Sequence, residues 1–322
     1  MSPMFRATTA NSRSPNKRAA RGLTLIELMV SLVIGLLLAI VASSTYLYSK
    51  QAYNAVSENS QLEENGRMAL DLLTRYVQSA GYVAINPRSA FPYGALDLKV
   101  TGCDHGMTKP QTASVAADLA CKASTATGVR RSASLTTVNE TDQPASSVGS
   151  GTTIGRFQGF NCVGNEATTI PADASTNAVQ TYVVRSNFFI SSSTASTKFG
   201  TTTMGQLSCV ADATVPGGTI NYQAQPLIPG VVQLAVTYLT PSSLVARSAQ
   251  KASEADALTA ADTWNTVTGV ELCVMTQSIQ SSGNDTGIAY KDCYNDDVAA
   301  VPGQTFRLFR TTVKLRNRSG GL

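Results

Sequence analysis

Residues 23–42 form an almost unbroken apolar run of 20 residues that contains one carboxylate, Glu27, near its start. As a helix such a run is about 30 Å long, the thickness of a bilayer's hydrocarbon core. It therefore needs lipid or other apolar helices around it, whatever the rest of the chain does. Residues 1–22 carry Arg6, Arg13, Lys17, Arg18 and Arg21 and no acid. A basic flank of this kind stays in the cytoplasm, so the chain beyond residue 43 is expected on the outer side. The net charge of +4 belongs to this flank: of 25 Lys and Arg only 20 remain without it, against 21 acids. No stripe of cations with interleaved aromatics occurs, so nucleic acid is not an expected partner.

Glu27 is the exception within the run. A carboxylate in lipid is costly and marks function by default. No Lys or Arg lies between Gly22 and Ser49 to pair with it. Cleavage after Gly22 would create a cation, the α-amine of Leu23, four residues before Glu27. That amine, from the same or a neighbouring subunit, would pair with the carboxylate where little water reaches. Two plainer readings compete. One is a signal-anchor helix with Glu27 at the lipid interface. The other is a signal peptide cut near Ala42, Ser43 and Ser44. Neither explains why Gly22-Leu23-Thr24-Leu25-Ile26-Glu27 stands at the junction of the charges and the apolar run.

That junction resembles the processing signal of type IV pilins and type II secretion pseudopilins, with Leu23 where most members have Phe. The resemblance implies a prepilin peptidase that cuts after Gly22 and methylates the amine of Leu23, and a docking role for Glu27. It implies as partners the peptidase, other major and minor pilins, and the ATP-driven assembly machinery of the inner membrane. The expected localisation is a single pass through the inner membrane, then the pilus fibre.

The helical pattern continues beyond the apolar run. No Pro occurs from residue 16 to 86. Ala52, Val56, Asn59, Leu62, Gly66, Ala69, Leu73 and Tyr76 recur in steps of three or four, the spacing of one helix face. Glu58, Glu63, Glu64, Arg67, Asp71 and Arg75 fall at the other positions, and Gly81 is a stop signal. The expected domains are a leader at 1–22, a helix at 23–81 that is transmembrane to residue 42 and amphipathic from 43, and a head at 82–322. Within the family, Glu64-Asn65-Gly66-Arg67, Ala69-Leu70-Asp71-Leu72-Leu73 and Ala80-Gly81-Tyr82 resemble minor pilins of the PilW type. Phe306 to Val313, with Arg316-Asn317-Arg318, resembles their C-terminus.

The head reads as short strands near residues 180–185, 231–239, 270–275 and 311–316. In the last, Thr311, Val313 and Leu315 are expected to face inward. Residues 111–155 and 191–220 are rich in Ala, Ser, Thr and Gly and read as loops, and residues 242–262 as a region with a short surface helix. The fold class is α+β: a long N-terminal helix packed against an antiparallel sheet. Behind an export signal, Cys103, Cys121, Cys162, Cys209, Cys273 and Cys293 read as disulfides. Several pairings are open; joining neighbours, Cys103–Cys121, Cys162–Cys209 and Cys273–Cys293, would close polar loops.

The chain offers no constellation for catalysis. His105 is its only histidine, and Cys103-Asp104-His105 is a contiguous string, not a triad. With one histidine and oxidised cysteines a zinc site is not expected, and no phosphate-binding motif is present. Asp292, Asn295, Asp296 and Asp297 are the one weak metal candidate, for Ca²⁺, and a solvated acidic turn is the plainer reading. No cofactor and no enzymatic activity are expected. The function implied is a structural minor pilin of a type IV pilus. The alternatives are a type II secretion pseudopilin and a membrane-anchored periplasmic binding protein or adhesin.

Overall fold

A computed structural model describes residues 24–82, 100–122, 132–141, 161–164, 168–170, 181–197, 200–213, 221–240, 243–248, 264, 267–278, 289–299 and 303–316. Helix α1 (Leu25–Ser79) is a single element of 55 residues. It has no proline to break it, and it ends where Gly81 takes φ 73°, a left-handed conformation that glycine adopts at no steric cost. The Gly81 N–H then bonds to the Val138 carbonyl at 2.9 Å, which ties the end of the helix to the head.

The chain's contacts divide it into two units, Met1–Tyr53 and Asn54–Leu322, so the boundary lies inside α1. In the first unit, α1 is long and apolar enough to cross a membrane. Its large apolar side chains are exposed on every face, Leu25 by 77%.

In the second unit, the described strands are all antiparallel where they pair, and they make two main sheets. The larger has the order β1 (Val100–Cys103), β2 (Ser134–Thr141), β4 (Thr181–Thr197), β5 (Gly200–Ala213) and β6 (Asn221–Pro229), with β3 (Thr168–Ile170) also on β4. The smaller runs β12 (Phe306–Lys314), β9 (Gly269–Gln277), β7 (Val231–Thr240) and β8 (Ser243–Ser248). A two-stranded ribbon joins β10 (Tyr290–Lys291) to β11 (Asp297–Val298). Gly230, at φ 76°, turns the chain from β6 into β7 and so from one sheet into the other.

One core serves both sheets and the helix. Ala69, Leu73, Val77 and Ala80 of the α1 end pack with Leu135, Phe188 and Leu207 of the larger sheet and Leu234, Leu272, Val274 and Val313 of the smaller. The Tyr76 ring meets Phe188 edge to face at 4.8 Å between centroids. At Gly66 the approach is close: a Cβ there would overlap the Phe309 ring, so in this position the ring lies over the helix because the residue has no side chain. Nearby, Arg307 bonds Glu63, and Thr276 Oγ1 donates to the Leu62 carbonyl at 3.4 Å.

Several sequence expectations need correction. The head has two main sheets where one was expected. Within the stretch 191–220, residues 191–197 and 200–213 are strand, the paired parts of β4 and β5, with Ser193 opposite Met204 and Thr194 opposite Thr203. Thr is β-branched and suits a pleated strand, and once the partner strand is aligned its cross-strand pairs outweigh low complexity. Residues 134–141 within the other loop stretch are β2. In the region read as helical, Ser243–Ser248 is a strand that adds to the open edge of β7, and residues 249–262 lie outside the described residues. On α1 the buried series is Leu62, Gly66, Ala69, Leu73 and Val77, but Ala52, Val56 and Asn59 are exposed and Glu58 is buried. The stripe continues past the point where any described residue covers it. In and just after β12, Val313 and Leu315 are buried and Thr311 is half-buried, while Arg310, Thr312, Lys314 and Arg316 are exposed, the alternation the sequence predicts.

Candidate processing and assembly site

The site begins at the first turn of α1. Thr24 precedes the helix and Glu27 is its third residue. The Thr24 N–H and Thr24 hydroxyl both reach Glu27 Oε2 at 3.4 Å, and the Glu27 N–H reaches Thr24 Oγ1 at 3.4 Å. This is a reciprocal capping box, in which two backbone N–H groups left over at the helix start find side-chain acceptors. The carboxylate also lies at the positive end of the helix dipole. The distances are at the long end for N–H···O bonds, so the oxygens are only loosely held and open to a stronger, charged donor. The pattern Thr-x-x-Glu was visible in the sequence, but Glu27 was read there as an acid in lipid and a partner for the amine, not as a cap. Gly22 and Leu23 lie outside the described residues.

The cysteines form three disulfides between sequence neighbours. Cys103–Cys121, Cys162–Cys209 and Cys273–Cys293 have Cα–Cα distances of 5.2, 6.2 and 5.7 Å, within the usual span. The first closes the segment that carries short 3₁₀ turns at Pro110–Thr112 and Ala116–Leu119. In that segment the Ser114 and Val115 N–H groups bond Asp118 and hold its carboxyl below the usual carboxylate range. The third pins the β10–β11 ribbon to β9.

The acidic turn at 292–297 has a structural explanation. Asp292 is buried, and its Oδ1 accepts from the Tyr294 and Asp296 N–H groups at 2.8 and 2.9 Å. Its Oδ2 accepts from Gln233 Nε2 at 3.0 Å, and Gln233 in turn accepts the Cys293 N–H at 3.0 Å. Asp297 pairs with Lys291 at 2.9 Å. Asn295 turns the chain at φ 66°, and Asp296 is exposed. With these oxygens already engaged and a Lys ammonium among them, the turn is a poor cation site. Gln233, far away in sequence, is the partner that sequence reading missed.

His105 is half-buried next to the Cys103–Cys121 disulfide, and no catalytic triad is assembled around it among the described residues.

Comparison with known proteins agrees with this layout at both ends. Residues 187–317 match the family described as Type IV Pilus-assembly protein W (PilW). Residues 17–43 match the prokaryotic N-terminal methylation motif. No curated protein and no solved structure matches the chain. The methylation motif thus covers the junction of leader and apolar helix, and the W-type match covers most of β4 and every described strand after it. Both families are structural components of pili. A methylation-motif front joined to a W-type head is the layout of a type IV pilus minor pilin of the PilW type, and both matches support that reading of this chain.

Proposed function

We propose that the chain is made as a prepilin, cut after Gly22, methylated at the new amine of Leu23, and drawn from the inner membrane into the pilus. Before assembly it spans the inner membrane once, with its N-terminus in the cytoplasm. Its partners are the prepilin peptidase, the other major and minor pilins, and the inner-membrane assembly machinery. It contributes structure and no catalysis of its own.

The observation that supports this reading best is the position of Glu27 in the capping box of an otherwise apolar helix end. Methylation keeps the amine positive. When the segment leaves lipid for a bundle of similar helices, apolar burial changes little, so packing alone supplies weak selectivity. A poorly hydrated carboxylate that meets a cationic amine supplies register, because any other stagger leaves a charge without a partner. The match to pilus-assembly proteins favours the pilus over a type II secretion pseudopilus.

Mass spectrometry of the protein from its host tests the processing step. The expected mass begins at Leu23 and carries one methyl group; a retained leader, or a first residue beyond Ala42, would sink the reading. Glu27→Ala is expected to be cut normally but to enter fibres at least about tenfold less often, the scale of removing one partner of a desolvated pair. Normal incorporation of Glu27→Ala would show that the pairing does not set register.

A further inference from the structure

We propose that the head binds a small hydroxylated carboxylate, a ligand of the sugar-acid class, in the cavity between the Cys103–Cys121 loop and strands β4 and β5. This site is built wholly from residues of the second unit and is assigned no part in processing. The cavity measures about 410 Å³, within the range of about 300–1,000 Å³ usual for small-molecule sites.

Its walls come from both sheets and from the disulfide loop. His105 and Lys122 sit on the two arms of that loop and both line the cavity. The Cys103–Cys121 bond, the Lys122 N–H to the Gly106 carbonyl at 3.0 Å, and the Thr108 N–H to the Ala120 carbonyl at 2.9 Å hold the arms together. The backbone of the two arms thereby brings an imidazole and an ammonium to one side of the cavity. The hairpin contributes the hydroxyls of Ser192 and Thr203. Gln277, from the end of β9 in the other sheet, completes the lining.

Gln277 is the telling residue. It is only 4% exposed, and its backbone N–H is used by the Gly230 carbonyl at 2.7 Å. Its side-chain amide makes no hydrogen bond to a described residue. The amide is not among the sealed polar groups of the fold, so its oxygen and nitrogen stay reachable from the cavity that it lines. Among the described residues no acid lines the cavity; Asp104, next to His105, is buried within electrostatic reach of the Tyr238 hydroxyl instead. Two nitrogen donors of basic side chains suit a carboxylate. Two hydroxyls and an amide, each both donor and acceptor, suit ligand hydroxyl groups, which are also both.

The chain's single histidine makes the test direct, because the carbon-bound imidazole protons of His105 give isolated NMR signals. The full chain, in micelles of a detergent without a sugar headgroup, is titrated with galacturonate. The His105 signal is expected to move saturably, and galactose is expected to bind at least about tenfold more weakly, for want of the charge. Lys122→Gln should weaken galacturonate about threefold, the worth of one exposed charge contact, and Gln277→Met, which keeps the bulk, should weaken it further. Both variants should melt within a few degrees of the parent, which separates loss of binding from loss of fold. The proposal is overturned if galacturonate gives no saturable shift, or if galactose binds as well. It is equally overturned if both variants bind unchanged, or if a tripeptide with a free C-terminal carboxylate binds more tightly than the sugar acid.

Discussion

Both halves of α1 carry leucines and one glycine, and these live in opposite circumstances. Leu32, Leu36 and Leu37 are more than half exposed within the chain, while Leu62 and Leu73 are buried to 2% or less. Gly35 has open space where its side chain would be, whereas Gly66 has the Phe309 ring. Helix propensity and the absence of proline suffice to make both halves helical. Whether a leucine on that helix is core or contact surface depends on what the chain folds against it. In the second half that is the head; in the first half no described residue covers the apolar side chains.

The largest effect should come from Leu73→Ala, which empties a fully buried site and should cost the head about 3 kcal/mol, read by denaturant melts of the full chain in detergent. Leu36→Ala should leave the same transition unmoved, and a comparable loss there would abolish the contrast. Next is Gly66→Ala, expected to cost about 2 kcal/mol because the new methyl must displace Phe309 or tilt the helix. Gly35→Ala should be neutral to the head, since nothing lies within 4 Å of the added carbon.

Arg307→Ala removes the link from β12 to Glu63, and with it a 3.4 Å contact to Asn59. Both partners are partly exposed, so the expected loss is about 1 kcal/mol or less, and it should shrink in high salt. A salt-independent loss would mean that packing of the arginine stem dominates.

The smallest effect sharpens the boundary between the halves. Glu58 is 7% exposed, and burial raises its carboxyl above the ordinary value of 4.5. A raised folded-state value means that the folded state prefers the protonated form. The favourable contribution is fully present below the unfolded value and is lost as pH climbs through the folded one. Glu58→Gln should therefore raise the melting temperature slightly at neutral pH, and the gain should vanish below about pH 4.5. A gain that persisted in acid would show that the carboxylate's charge is not the cause.

Local chemistry along the chain was enough for the existence and end of the helix over Leu25–Ser79: an apolar run, uninterrupted helical spacing and a glycine stop at Gly81. These signals act within a turn or two of backbone, so a reader of sequence sees all of their terms. Even there the capping role of Thr24 was readable and passed over. The inward alternation of β12 was legible for the same reason, because a strand's period of two needs only the strand itself.

Contacts across long separations decided the rest. The Ser- and Thr-rich residues 191–213 look like loop until β4 and β5 are aligned, and Ser243–Ser248 looks helical until β7 offers it an edge. Asp292 looks like a cation ligand until Gln233, 59 positions away, claims one of its oxygens. Which cysteines meet also waited on this alignment, since Cys209 stands opposite Phe188 only in the folded register. In each case the deciding partner contributes energy only after the chain has brought two distant segments together, and no local pattern records that meeting.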